Sequence, residues 1–309
     1  MAGLRGLSAR LAWRAGPEGG NIPAVISGAV QITPSSIRYS ALAPGGGHLT
    51  AGVRELDTTR GDFGEVEAAV VEGIEAVRDA GADRVTLFAS GELRGARVAD
   101  RLSVRSRRLG FGDIRFTGTG ATIAAGFIAR SRTALGESSI PDRETCGVLG
   151  IGHHSVGLAV GTVGEGPAWI GSRPVGVRTL AERSRLSDPP EPNQVEAARS
   201  AVERSLGGLT NPDFTRLIVV SDSSLATRLV CGDRVDRDSL RLALDSIVGM
   251  TSDELGERVG LGSVLAPLFP LALVVQYGAA RAFGVDLVPL DPDPARLELA
   301  LAVAGDAGG

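Results

Sequence analysis

The sequence contains no lysine, so all 32 basic residues among its 309 are arginine. Chemistry that needs an ε-amino group is excluded with it: the Schiff base, the P-loop lysine and the strand lysine of protein kinases. The same bias, beside abundant alanine and glycine, reads as the product of a GC-rich bacterial genome. Cysteine is scarce. The 2 thiols, Cys146 and Cys231, make neither a disulfide framework nor a zinc cluster. Each lies in an apolar stretch, which predicts reduced, buried thiols in a cytoplasmic protein. Aromatic residues are only 4% of the chain, too few for the stacking platforms of single-strand binders. No uninterrupted run of eighteen apolar residues occurs; the nearest, 264–280, contains Pro267 and Pro270 and predicts a buried helix, not a membrane span. A net charge of -4 supplies no global field for a nucleic-acid backbone or an anionic membrane. Any polyanion site must therefore be a local arginine cluster.

What is present is a duplicated pattern on a chain long enough for two domains. Residues 1–21 carry Arg5, Arg10 and Arg14 in apolar runs too short for a signal sequence, and read as a flexible extension. After Pro23, AVISGAVQI and SSIRYSAL flank a Thr-Pro turn and AGVREL follows, predicting three neighbouring strands. Val66, Ala69, Val70, Ile74 and Val77 recur at helical spacing before Gly81 and the strand RVTLFAS. A basic helix stopped by Gly110, the strand DIRFTG and a helix over ATIAAGFIAR complete the first half, 22–133. Polar, aperiodic residues 134–144 predict a linker. The second half, 145–297, repeats the plan: CGVLGIG, VGLAVGT and PAWIGSR as strands, and a helix near 175–186. A helix with an acidic first turn (Glu191, Glu196) comes next, then the strand RLIVVSD, helical patterns from about 222 to 283, and DLVPL. Residues 298–309 read as a tail. Strands followed by alternating helix and strand predict an α/β protein with helices covering a mixed sheet in each half.

Each half opens with a strand, a tight turn and a strand, and such turns can point backbone N–H groups at phosphate. Two of them facing each other across a cleft make a phosphate clamp. The segments AVQITPSSIR (29–38), ASGELRGA (89–96), FTGTGATIAAG (116–126), VLGIGHHSVGL (148–158), SRPVGVRTLAER (172–183) and IVVSDSSLAT (218–227) stand in an informative order. In that order and spacing the chain resembles the exopolyphosphatase and guanosine pentaphosphate phosphatase family, Ppx/GppA, of the actin-like, sugar-kinase and heat-shock-protein ATPase superfamily. The resemblance spans about 24–295 and rests on the motifs together. It implies two actin-like (ribonuclease H-like) domains, each a mixed five-stranded sheet with flanking helices, around a central cleft.

The departures from the family patterns carry the functional expectation. The first hairpin, A-I-D-x-G-[ST]-N-S-x-R in relatives, keeps Ser36 and Arg38 but has Gln31 for the aspartate and Thr33 for the glycine. Ser90 and Arg94 match the family's phosphate-facing arginine segment, with Val98 in place of its asparagine. The S-G-x-E-E-A segment, whose glutamate is the family's general base, reads Thr117, Gly118, Thr119, Gly120, Ala121. The second hairpin, D-I-G-G-G-S-T-E, reads Gly150, Ile151, Gly152, His153, His154, Ser155, Val156, Gly157, and the third glycine turn becomes Asp222, Ser223, Ser224. Losing one positioned base alone costs about 10²–10⁴ in rate, and the carboxylates expected at 31, 150 and 157 are missing with it. Glu92 or Asp222 is the candidate for a substitute.

The resemblance therefore implies a catalytically degenerate relative with no resident cofactor, Mg²⁺ entering only if it is active. Its expected ligand groups are Ser36, Arg38, Ser90, Arg94, Gly118, Gly152 and Ser155, and its altered family positions are Gln31, Ala121, Gly150, His153, His154, Gly157 and Asp222. Expected partners are polyphosphate, a guanosine nucleotide or another protein, a second copy of the chain included, with neither nucleic acid nor membrane. Two further readings stay open: an active phosphohydrolase with a displaced base, and an interaction scaffold whose cleft has closed. At single positions bland readings also stand. Arg38 and Arg94 can be salt-bridge partners, the serines can satisfy their own turns, His153 and His154 can be part-exposed turn residues tolerant of positive φ, and the stripe Arg94, Arg97, Arg101, Arg105, Arg108 can be a solvated face.

Overall fold

Near-continuous runs of buried residues make a central strand in each half, 29–32 in the first and 146–149 in the second, and short turns bring the next strand back antiparallel. In a computed structural model, residues 26–42, 48–59, 62–90, 93, 96–108, 114–117, 127, 144–162, 166–209, 213–232 and 235–289 are described. Strands β1 (Ser27–Ile32), β2 (Ser36–Leu42) and β3 (His48–Glu55) form an antiparallel meander. β4 (Arg84–Ser90) then joins β1 in parallel, and β5 (Arg115–Thr117) joins β4. The second half repeats this with β6 (Thr145–Ile151), β7 (Val156–Thr162), β8 (Gly166–Arg173), β9 (Arg216–Val220) and β10 (Leu287–Pro289). The two 5-stranded sheets run β3-β2-β1-β4-β5 and β10-β9-β6-β7-β8, one topology read from opposite ends. This is the two-domain actin-like plan, each sheet mixed and flanked by helices.

Helix α1 (Phe63–Asp79) covers the first sheet with the stripe Val66, Ala69, Val70, Gly73, Ile74 and Val77. The Asp62 side chain caps its start by accepting from the Gly64 amide, and Gly81 at φ 87° turns the chain into β4. Helix α2 (Arg97–Arg108) buries Ala99, Leu102 and Ser106. Its basic stripe is exposed, and two of its members also touch α1: the Arg101 guanidinium lies 3.6 Å from the Phe63 ring centroid and Arg105 pairs with Glu67 at 2.5 Å.

In the second half, α3 (Val177–Ser184) and α4 (Pro192–Leu206) follow β8. Glu191 is the N-cap of α4 in a capping box with Gln194, so the acidic first turn expected from Glu191 and Glu196 is not formed. Helices α5 (Ser224–Cys231), α6 (Arg237–Ile247) and α7 (Ser252–Val259) lead to α8 (Phe269–Phe283), which a 3₁₀ turn, Ala266–Leu268, precedes. Leu271, Leu273, Val274 and Val275 of α8 are 0% exposed, and burying each contributes about 1.5–3 kcal/mol. The long apolar stretch is thus a core helix, and no helix among the described residues is long and apolar enough to cross a membrane. Cys146 is buried and Cys231 only half-buried, and neither forms a disulfide. Phe127 packs with Cys146, Val148, Ala159 and Ile218 on the second sheet. The extension (1–21), the tail (298–309), most of the 121–130 helix and the 134–143 linker lie outside the described residues.

Candidate functional site

The site begins at the turn between β1 and β2. The Thr33 hydroxyl folds back to accept from the amides of Ser36 at 3.0 Å and Ser35 at 3.4 Å. The Thr33 amide in turn donates to the Ser36 carbonyl at 2.9 Å. Backbone donors that a phosphate oxygen would take are thereby spent within the turn. Next in β2, Arg38 is buried and donates from Nε to Ser36 Oγ at 3.0 Å. Its Nη2 pairs with Asp222, 184 residues away in the other domain, and Ser35 Oγ donates to the same carboxylate at 3.2 Å. Arg38 is therefore neither a surface ion pair nor an open phosphate donor; it bridges the cleft. Gln31, its cross-strand partner, is buried with Oε1 unpartnered among the described residues.

The other two turns are closed by different means. Between β6 and β7, the carbonyls of Gly152 and His153 accept from the first amides of α3: Val177 at 3.1 Å, Arg178 at 2.8 Å and Thr179 at 3.2 Å. The turn approaches the helix so closely that a methyl group on Gly176 would overlap the backbone of Gly152, His153 and Ser155. Before α5, the Ser221 amide donates to Ser224 Oγ at 3.2 Å and the Ser223 amide to Ser221 Oγ at 3.3 Å.

The histidines depart from expectation. His153 is 5% exposed rather than a part-exposed turn residue, and neither histidine is among the positive-φ residues of the described backbone. Burial drives the His153 pKa down to about 3, helped by the charges of Arg178, His154 and Arg38 and opposed by Asp57. The ring is neutral, and its Nδ1 has no partner among the described residues. His154 is half-buried, with Nδ1 3.4 Å from Thr179 Oγ1.

Acidic groups reach the gap from places the motifs did not flag. Asp57 pairs with Arg178 at 3.2 Å across 121 residues, and Arg178 also donates to Thr59 Oγ1 at 3.3 Å. Glu55, opposite Ser36 in the ladder, accepts from the Gly262 amide at 3.4 Å. Burial raises the Glu55 pKa, against the lowering influence of the Gly262 amide and Arg38. Each carboxylate thus has its own partner across the gap. Among the described residues no group of three His, Cys, Asp or Glu side chains is placed to hold a metal ion. The donor set does not fit Mg²⁺: Asp222, the one substitute carboxylate described, is committed to Arg38.

A cavity of about 20 Å³, room for a single water, lies within the second half, with Gly152, His153 and Asp222 on one side and the apolar Ile151, Leu268 and Phe269 on the other. The structure thus gathers Ser36, Arg38, Gly152, His153 and Asp222 around one gap. Gly150 and Gly157 face each other in the β6–β7 ladder behind it, Ser155 closes the second turn, and Ser90 ends β4. Arg94, Gly118, Ala121 and Glu92 lie outside the described residues. Thr33 was legible as a hydroxyl beside a Pro-Ser-Ser turn; Arg178 lies in the SRPVGVRTLAER segment without being singled out there, and Asp57 and Gly262 carry no local signal.

Fold and gap together define the class: two actin-like domains around a cleft, with the architecture of solved Ppx/GppA structures. The Ppx/GppA family member from Aquifex aeolicus is similar over 92% of this chain and 98% of its own, at TM-score 0.73 and 14% identity. An exopolyphosphatase from Cytophaga hutchinsonii is similar over the same shares, 92% and 98%, at TM-score 0.74 and 13% identity. An exopolyphosphatase-like protein reaches TM-score 0.65 at 17% identity, over 84% of this chain and 89% of that one. At these identities the likeness shows a common fold. No protein-family model and no curated protein matches the sequence.

Proposed function

We propose that this chain is a non-hydrolysing counterpart of the exopolyphosphatases whose fold it shares, a phosphate-ligand-binding or regulatory protein in the cytoplasm and not a phosphatase. The observation that carries this reading is the Arg38–Asp222 pair. Arg38, one of the two arginines expected to meet phosphate, is neutralised by Asp222, a candidate substitute for the lost acidic groups, which leaves neither of this pair free for chemistry. Gln31, Gly150 and Gly157 supply no charge where the family pattern carries acid, and the turns at 33–36 and 221–224 spend backbone donors internally. Phosphoanhydride hydrolysis needs a base on the attacking water and a counter-charge for the leaving oxygens. Polyphosphate and guanosine nucleotides are the ligands to test first, because the relatives of similar fold include an exopolyphosphatase.

Purified protein incubated with Mg²⁺ and either long-chain polyphosphate or guanosine pentaphosphate is expected to release no phosphate above the uncatalysed background. Turnover of order one per second, as in ordinary enzymes, would contradict the proposal.

A further inference from the structure

Helices α1 and α2 lie side by side on the first sheet and carry opposite charge. Helix α1 holds Glu65, Glu67, Glu72, Glu75 and Asp79 against one arginine, Arg78, a net charge of -4. Helix α2 holds Arg97, Arg101, Arg105, Arg107 and Arg108 against one carboxylate, Asp100, a net charge of +4. The two touch where Arg101 lies over Phe63 and Arg105 meets Glu67. Toward β3, Glu65 and Glu72 lie 3.7 and 3.0 Å from Arg54 and are still 52% and 60% exposed; Glu75, Asp79 and the arginines of α2 are exposed as well. A groove of about 430 Å³ runs between the helices, its lining including Phe63, Val104, Arg101, Arg105 and Arg108. Val104 is 45% exposed there, an apolar side chain set among arginines.

The direction of both helices follows from the sheet. Strands β3, β4 and β5 are mutually parallel, and each helix returns the chain between two of them, so α1 and α2 run the same way. A second copy rotated by a half-turn about an axis along the groove sets its α2 on α1 and its α1 on α2. Both stacked pairs are then acid on base, and each contact occurs twice, as an isologous interface requires. A half-turn about the perpendicular axis in the same plane stacks α1 on α1 and α2 on α2, like charge on like, which is repulsive. Charge therefore selects the first arrangement.

We propose that the α1–α2 face is a self-association surface, on which two copies of this chain pair through the acidic helix of one and the basic helix of the other. From the widths and lengths of its helices the face measures roughly 20 Å by 20 Å, ~800 Å² over both copies, at the lower end for specific interfaces. The dimer is accordingly weak, held by charge and dissolved as salt screens it. The inference stands apart from the phosphate-ligand reading and survives its failure.

Sedimentation velocity of the full chain over a concentration series tests this. A monomer–dimer equilibrium is expected at about 50 mM NaCl, with a dissociation constant at least about tenfold higher at about 500 mM. Arg97→Glu, Arg101→Glu and Arg108→Glu together turn α2 net negative; Glu65→Arg, Glu72→Arg and Glu75→Arg together turn α1 net positive. Each triple variant is expected to stay monomeric where the unaltered protein dimerises, and a mixture of the two is expected to form a heterodimer. A monomer at every concentration up to about 1 mM, a dimer indifferent to salt, self-association of either variant at the unaltered strength, or failure of the mixture to pair overturns the proposal. If either variant does not fold, the salt series on the unaltered protein decides.

Discussion

His153 takes the place of a glycine in the family pattern and is sealed beneath the β6–β7 turn, neutral, with its pKa lowered to about 3. In the unfolded chain a histidine titrates at about 6.5. Below that pH the unfolded state binds a proton that the folded state refuses, so stability is lost as pH falls from about 6.5 toward 3, by ~1.4 kcal/mol per pH unit in that window. Urea unfolding at a series of pH values should show this slope, and His153→Gln should flatten it; an unchanged slope in the variant would place the proton elsewhere. The position of His153 in a turn was legible in the sequence. Its burial was not, because that depends on α3 and on Arg38, Arg178 and Asp57 arriving from remote parts of the chain.

Among the elements, α3 shows how one glycine sets a loop. The amides of its first turn point at the carbonyls of Gly152 and His153, and only a residue without a side chain lets the Gly176 backbone come that close. Gly176→Ala should push the β6–β7 turn away and destabilise the second domain by about 1–3 kcal/mol, the usual cost of overpacking; denaturant melts check it, and a loss below about 0.5 kcal/mol would mean the turn yields freely. Strands and helices were legible at this scale because apolar periodicity is local: the stripe from Val66 to Val77 lies on the first sheet as spacing predicts. The start of α4 was misread because Glu191 lies outside the helix and caps it through Gln194, an arrangement that resembles an acidic first turn in sequence. The basic stripe of α2 is solvated as the spacing predicts, with Arg97, Arg101, Arg105 and Arg108 exposed; the contacts of Arg101 with Phe63 and Arg105 with Glu67 of α1 are pairings no single-helix pattern contains.

For the whole molecule, the duplicated topology was legible because each half repeats strand, strand, strand, helix and strand. The gap was only half legible. Ser36 and Arg38 were expected near it from the motif they match, and His153 and Asp222 from motifs they depart from, but pairs separated by 184 and 121 residues leave no trace in spacing. Acidic groups do reach the gap: Asp57 and Asp222 pair across the domains, and Glu55 bonds across to Gly262. A cleft of this kind opens by rigid-body motion of its domains, and ion pairs across it bias the closed state. The most direct measurement is a double-mutant cycle on Arg38→Gln and Asp222→Asn by denaturant unfolding. The account predicts a favourable coupling of about 1–3 kcal/mol between residues so distant in sequence. Effects that add to within about 0.5 kcal/mol would contradict it, because the two side chains would then not hold each other across the gap.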